Sequence, residues 1–318
     1  MKPCRLFAAW ISILAFFALS MDYGCGLEAG EGVETPLSGE IAYAALTDGY
    51  WQIWVVQLPE MKCTQYTKTP EDKRNPTWGP DGKEIFYRTS DGALAKVSLT
   101  DLKIEAVAPS LGFLVDPKVS PSGKRMIYSR FELEPTDNTD LYVYEFSTKT
   151  NLRVSDSPDL DYAPSWSPDE KSIAYVSGRG LKKHLLYVMD ADGKNKKQLQ
   201  FKSSDDMCTA WSADGKWILF SSSLSGDYEI WRVHPDGSEL QQLTFSVGLD
   251  ASPCCAPDGS RIVFVSNRGG RLRLWTMGID GGPASVLLDS PLDCRDPVWW
   301  HPQVTEEKVV APNAEAKK

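Results

Sequence analysis

Between residues 39 and 300 the chain is built from short runs in which apolar, β-branched and aromatic residues alternate with polar ones. "EIFYRT", "SIAYVS", "WILFSS" and "RIVFVS" each follow an Asp-Gly or Asp-Glu turn, and each is preceded by another short apolar run. Alternation of this kind predicts half-buried strands, and a turn that tolerates φ > 0 between two such runs predicts a hairpin. After a loop comes a third run: "IWVVQ", "LYVYE", "LYVMD", "IWRVH" or "LWTMG". A second turn (Asp192-Gly193, Asp236-Gly237 or Gly281-Gly282) leads into a fourth, more polar run such as "KKQLQF" or "LQQLTF". No helical period occurs in the mature chain, so the class is all-β.

The runs recur with a fixed metre. Apolar-aromatic couplets end at Trp54, Ala95, Tyr142, Tyr187, Trp231 and Trp275, and 24 residues after each lies an anchor: Trp78, Val119, Trp166, Trp211, Cys255 and Trp299. Anchors are 41 to 47 residues apart. Four antiparallel strands repeated at this period predict a six-bladed β-propeller over residues 39–300. The chain enters at the second strand of a blade, "GEIAYAAL", and leaves on a lone first strand, "DPVWWHP". Pairing of these two closes the sixth blade from both ends and removes two exposed sheet edges.

The repeated text "P-x-W-S-P-D-G-x-x-I-x-F/Y-x-S … L-Y-V-M-D-x-D-G … L-T", a WD-repeat-like signature, resembles the propeller of the TolB family, periplasmic components of the Tol system. Related propellers occur in tricorn protease and the prolyl oligopeptidases. The resemblance implies the six-bladed fold and a protein-binding role in the cell envelope. TolB proteins carry an α/β domain before the propeller, where a linker over residues 21–38 is expected here; the peptidases carry an α/β-hydrolase domain, for which no room is expected. Fold alone does not settle function, because this propeller serves many roles.

The chain has 34 basic and 43 acidic residues, and without the leader the balance is 32 to 43, net −11. That argues against nucleic acid as a partner. Lys2 and Arg5 precede the apolar stretch Leu6 to Leu19 and the small-residue site Ala18-Leu19-Ser20, so residues 1–20 read as a secretory signal. The stretch is short of the ~20 residues a membrane span needs. No transmembrane span is expected after processing, and a closed ring of this kind is expected to be a monomer. The destination is periplasmic or secreted, with lipid attachment at Cys25 as the alternative. A lipobox has Leu and a small residue ahead of Gly-Cys, whereas Asp22-Tyr23-Gly24 stands here. Residues 301–318 read as a flexible tail. An exported chain can oxidise its cysteines: one bridge among Cys208, Cys254 and Cys294 fits their spacing, and buried free thiols are the other reading.

Length variation is confined to the loops between second and third strands, which emerge on the same face as the blade-to-blade links. Indels on one face mark a tolerant, often partner-facing side. The longest loop, "FELEPTDNTD", carries Glu132, Glu134, Asp137 and Asp140; others carry Arg179, Lys182 and Lys183, or Arg268, Arg271 and Arg273. Mixed charge of this kind suits a protein surface, although solvated loops would look the same. A second feature lies in the links, where Asp72, Asp116, Asp161, Asp206, Asp250 and Asp293 stand three to six residues before their anchors. They are expected at the mouth of the central channel. A carboxylate ring there could hold Ca²⁺; alternatively each Asp caps backbone N–H groups and staples neighbouring blades. No cofactor is otherwise implied.

Catalytic signatures are missing from the sequence: no G-x-S-x-G, H-E-x-x-H or G-x-x-x-x-G-K-[ST] occurs, and His184, His234 and His301 are scattered. "DADGKNKK" is a hairpin turn rather than a calcium loop, since Phe201 stands where the bidentate Glu belongs. The expected function is a non-catalytic, exported binding propeller. The alternatives are a propeller lyase or hydrolase acting on a carbohydrate or small molecule at the channel mouth, and an accessory propeller of a separately encoded peptidase.

Overall fold

The computed structural model describes residues 37–107, 111–132, 138–179, 182–199 and 204–300. The signal, Cys25, most of the linker, Glu134, Asp137 and the tail lie outside them. The described strands form six four-stranded antiparallel sheets, each running outward from an innermost strand. The innermost strands are β4 (Lys73–Trp78), β8 (Phe113–Val119), β12 (Leu160–Trp166), β16 (Asp206–Trp211), β20 (Asp250–Cys255) and β24 (Cys294–Trp300), so every anchor ends an innermost strand or stands next to its end. Successive innermost strands pack against one another around the ring, β24 against β4 included.

Closure is as the repeat requires. β24 pairs with β1 (Gly39–Thr47), Ile41 opposite Trp299, and β1 continues through β2 (Tyr50–Leu58) to β3 (Lys62–Gln65). The core is divided into seams between neighbouring sheets. The closing seam gathers Ile41, Tyr43, Val56, Val263, Val265 and Trp299. Anchor indoles tie one blade to the next: Trp78 Nε1 donates to Val298 O (2.9 Å) and Trp166 Nε1 to Lys118 O (3.1 Å). Trp299 Nε1 donates to Ser38 O (3.0 Å), within the closing blade.

One feature recurs in all six innermost strands. Three residues before each anchor the strand carries an extra residue relative to its partner, a β-bulge. That residue adopts a left-handed backbone: Asn75, Asp116, Ala163, Cys208, Ser252 and Asp296, with φ between 50 and 54°. None is β-branched, in keeping with the steric cost of φ > 0 for such side chains. The bulge reverses the alternation of the residues ahead of it and so decides which of them faces the axis.

Candidate functional site

The six bulge residues, and not the link carboxylates, form the ring around the axis. Neighbours in it touch: Asn75 Nδ2 donates to Asp116 Oδ1 (3.0 Å), Asn75 N–H to Asp296 Oδ2 (3.4 Å), and Ser252 Oγ to Cys208 Sγ (3.6 Å). The ring is polar and charged over Asp296, Asn75 and Asp116 and small elsewhere. Burial pushes the Asp116 carboxyl up, whereas Asp296 is held below the usual range because the attraction of Arg295 and Arg74 outweighs burial. Of the six acids expected at the channel mouth, only Asp116 lies on this ring.

The other five do not join this ring but are bonded or buried elsewhere, and this corrects their placement. Asp72 Oδ1 accepts the Trp51 N–H (3.0 Å), Asp206 Oδ2 that of Leu186 (3.0 Å) and Asp293 Oδ1 that of Leu272 (3.1 Å). Each carboxylate thus reaches across to the preceding blade, to the start of its third strand at Trp51 and Leu272 and to the middle of it at Leu186, a contact of the stapling kind. Asp206 also accepts the Ser204 and Ser222 hydroxyls. Asp250, fully buried, pairs with Arg268 (2.5 Å) and accepts from Ser246 Oγ. Asp161 is 1% exposed, and neither carboxylate oxygen has a hydrogen-bond partner among the described residues. Burial pushes it up to about 6, and the nearby Ser177 and Ser155 hydroxyls only partly offset this. Near Asp250 the buried Glu229 is pushed up to about 7 by burial and by the neighbouring carboxylate. Among the described residues no group of three or more His, Cys, Asp or Glu side chains is placed to hold a metal ion.

The mixed-charge face also needs correction at two residues. Asp140 is wholly buried and paired with Arg153 (2.5 Å), because the third strand, β10 (Asn138–Glu145), begins before it. Arg268 is drawn inward over the Trp275 ring (4.7 Å) by Asp250. The segment around Arg179 is a hairpin rather than an open loop: β13 (Ser172–Arg179) pairs Arg179 with Lys182 of β14 (Lys182–Asp190). Lys183 is exposed there. Arg271 is exposed and donates to Pro291 O, and Arg273 pairs with Asp289 (3.1 Å). Glu132 ends β9 (Arg125–Glu132). Lys194 and Lys196 lie on the opposite face with exposed or half-exposed ion pairs.

All five described cysteines are free thiols, so the bridge among Cys208, Cys254 and Cys294 does not form. Cys208 occupies a bulge, Cys254 Sγ accepts the Trp299 N–H (3.2 Å), and burial raises the thiols of Cys208, Cys254, Cys255 and Cys294. His184 is buried and His234 stacks on Trp217 (3.9 Å).

Sequence reasoning missed a cluster of arginines and aromatics on the link-bearing face. Arg74 and Arg295 flank the Trp51 ring (5.4 and 5.3 Å), and Arg88 lies over Phe113 (5.8 Å). Arg74 and Arg88 stand directly opposite each other in β4 and β5 (Glu84–Thr89). The signal was available in principle, since both residues hold repeat positions near the upper ends of their strands, but their types differ from blade to blade.

The sequence profile of the TolB beta propeller domain matches residues 100–299. The chain is 32% identical over 186 residues to an uncharacterized protein of Agrobacterium fabrum, covering 57% of this chain and 61% of that protein. It is 29% identical over 150 residues to the Tol-Pal system protein TolB of Helicobacter hepaticus, covering 46% of this chain and 34% of the relative. The chain thus matches less than two thirds of the length of either. The crystal structure of TolB from Acinetobacter baumannii superposes with a TM-score of 0.70 at 25% identity, covering 82% of this chain and 66% of that one. An oligogalacturonate lyase in complex with manganese superposes at 0.58 and 18% identity, with 78% of this chain and 73% of the lyase covered, a likeness of fold alone.

Proposed function

The chain belongs to the TolB β-propeller domain family, and from that premise we propose that it is an exported, non-catalytic binding propeller whose link-bearing face docks a protein of the cell envelope. The observation that carries this reading is the use made of the link acids. Asp72, Asp206 and Asp293 are spent on capping backbone N–H groups, and Asp250 on Arg268. Groups bound in this way hold blades together and are not poised for proton transfer or for a cation at the mouth. Among the described residues Lys183 and Arg271 remain exposed there, and the sequence of the longest loop adds the acids Glu132, Glu134 and Asp137. Such an arrangement steers encounter with a complementary protein surface.

Export to the periplasm or medium follows the reading of residues 1–20, with Cys25 as the site of anchorage if the chain is lipidated. Among the described residues no helix is long and apolar enough to cross a membrane. The lyase reading has the fold likeness in its favour and no cluster of metal-ligating side chains among the described residues.

The test uses the exported chain to capture a partner from envelope extract, followed by association kinetics with that partner purified. Neutralising Glu132, Glu134 and Asp137 is expected to slow association and flatten its salt dependence with little change in folding. Neutralising Lys194, Lys196 and Lys197 on the opposite face is expected to do neither. If only the second variant weakened binding, the assignment of the working face would be wrong.

A further inference from the structure

The seam between the blades of β16 and β20 holds more buried carboxylate than positive charge. Glu229 opens β18 (Glu229–Val233) and Asp250 opens β20, and both side chains are buried. The two carboxyls lie within hydrogen-bonding reach of each other. Both also hold the same residue of the link between the blades: the Ser246 N–H donates to Glu229 Oε1 (2.6 Å), and its hydroxyl donates to Asp250 Oδ2 (3.1 Å). Asp250 Oδ1 is buried and has no donor among the described residues. The one ion pair of the two acids among those residues joins Asp250 to Arg268. Asp206, across Ser222 in the sheet of Glu229, brings a further carboxylate near. Of the other ionisable groups around them, Tyr228 is pushed up to about 12 by burial and stays neutral, Asp227 is exposed, and Arg273 pairs with Asp289. Two carboxyls in contact and out of water do not both stay ionised against one guanidinium.

Internal repetition supplies a neutral reference. Gln52 holds the step that Glu229 holds, two residues before the third-strand Trp. Its Oε1 accepts from the Thr67 hydroxyl (2.8 Å), which itself accepts the Ile53 N–H (2.9 Å). Glu229 Oε2 accepts from the Thr244 hydroxyl in the same way, and Thr244 accepts the Ile230 N–H (2.9 Å). A side chain with one acceptor and one donor fits this step, and a protonated Glu is such a side chain. One other seam has carboxyls both at this step and five residues before the next anchor, at Asp140 and Asp161, again with an arginine, Arg153, paired to one of them.

We propose that Glu229 and Asp250 share one proton, that this proton latches the link 245–249, and that the propeller thereby carries a pH-sensitive catch. The proton is buried and serves the fold, not a reaction. While it is in place the carboxyls are hydrogen-bonded and Ser246 is held by both. Once it is lost, two anions repel at contact distance, and Ser246 cannot stay bonded to both. Phe245 and Val247, exposed on either side of Ser246, move with it. Burial and the Asp250 charge push Glu229 up to about 7 from an ordinary 4.5. The contribution of the latch is therefore fully present below the ordinary value and is lost as pH rises through about 7. The catch belongs to the fold and does not depend on which face docks a partner.

Carboxyl ¹³C shifts of the labelled exported chain, followed from about pH 4 to pH 9, should give Glu229 a midpoint well above its ordinary value. Hydrogen exchange of the peptide 244–250, corrected for intrinsic rate, should lose about tenfold in protection per pH unit between about pH 5 and pH 6.5 and level off above about pH 7. Glu229→Gln keeps the donor and the acceptor and should hold that protection flat, and peptides of β1 should show no such slope in the native chain. A Glu229 midpoint at or below the ordinary value, a slope that persists in Glu229→Gln, or the same slope in β1 would each overturn the proposal. If Glu229→Gln does not fold, the carboxyl midpoint and the contrast between the link and β1 in the native chain decide the matter.

Discussion

Replacing Trp299 with Ala tests whether the ring is held shut by its last strand. The side chain is 8% exposed and packs in the closing seam with Ile41, Val56, Val263 and Val265. Its indole N–H donates to Ser38 O, the residue next to the first strand, at 3.0 Å. Truncating a buried Trp to Ala costs about 3–5 kcal/mol through lost transfer energy and the cavity left behind. The stranded Ser38 carbonyl adds to this by about 1 kcal/mol at most, since it lies near solvent at the chain's entry. An expected loss of about 4 kcal/mol corresponds to a fall in melting temperature of about 8–16 °C for a domain of this size. Trp299→Phe keeps most of the ring surface and loses the hydrogen bond, so it should fall well short of the Ala variant. Phe245→Ser is the control, because Phe245 is 79% exposed and its loss should stay within about 0.5 kcal/mol. Urea midpoints followed by tryptophan fluorescence and circular dichroism read all three. A loss in Trp299→Ala below about 1 kcal/mol would refute closure of the ring through this seam as a source of its stability.

Asp161, pushed up to about 6 from an ordinary 3.8 by burial, binds a proton more tightly in the folded chain than in the unfolded one. Its contribution to stability is therefore fully present below the unfolded value and is lost as pH rises through about 6. Asp161→Asn should match the native chain near pH 4 and exceed it at pH 8; an advantage that does not grow with pH between urea midpoints at those two values would sink this account. Mass spectrometry of the mature chain is expected to find Met21 as the first residue. A diacylglyceryl-modified Cys25 would establish anchoring instead, and an intact Met1 would exclude both.

What could be read from the chain alone was everything that depends on local alternation and metre. The constant 24-residue interval and the Asp-Gly turns specify four strands per blade, because side chains alternate with period two and the turn type sets the register. Trp78, Trp166 and Trp299 stand at the same step of each repeat and are all buried in the seams, so their burial was legible. Closure was legible too, since the missing first strand at one end and the spare one at the other are complementary. The channel lining was not. A one-residue bulge in each innermost strand reverses the alternation ahead of the anchor and carries Asp206 and Asp250 from the axis into the seams. The residues that take the bulge share no side-chain chemistry, only tolerance of φ > 0, so no motif marks Asn75, Ala163 or Cys208 as equivalent. Asp140 and Arg268 look like loop charges in sequence, and only the packing of neighbouring blades shows that each is drawn inward by a partner 13 or 18 residues away. The opposition of Arg74 and Arg88 likewise exists only once the strands pair. Pattern along the chain determined the blades; which charges meet at the channel mouth was decided by the bulge, whose backbone strain is offset by the closed ring around it.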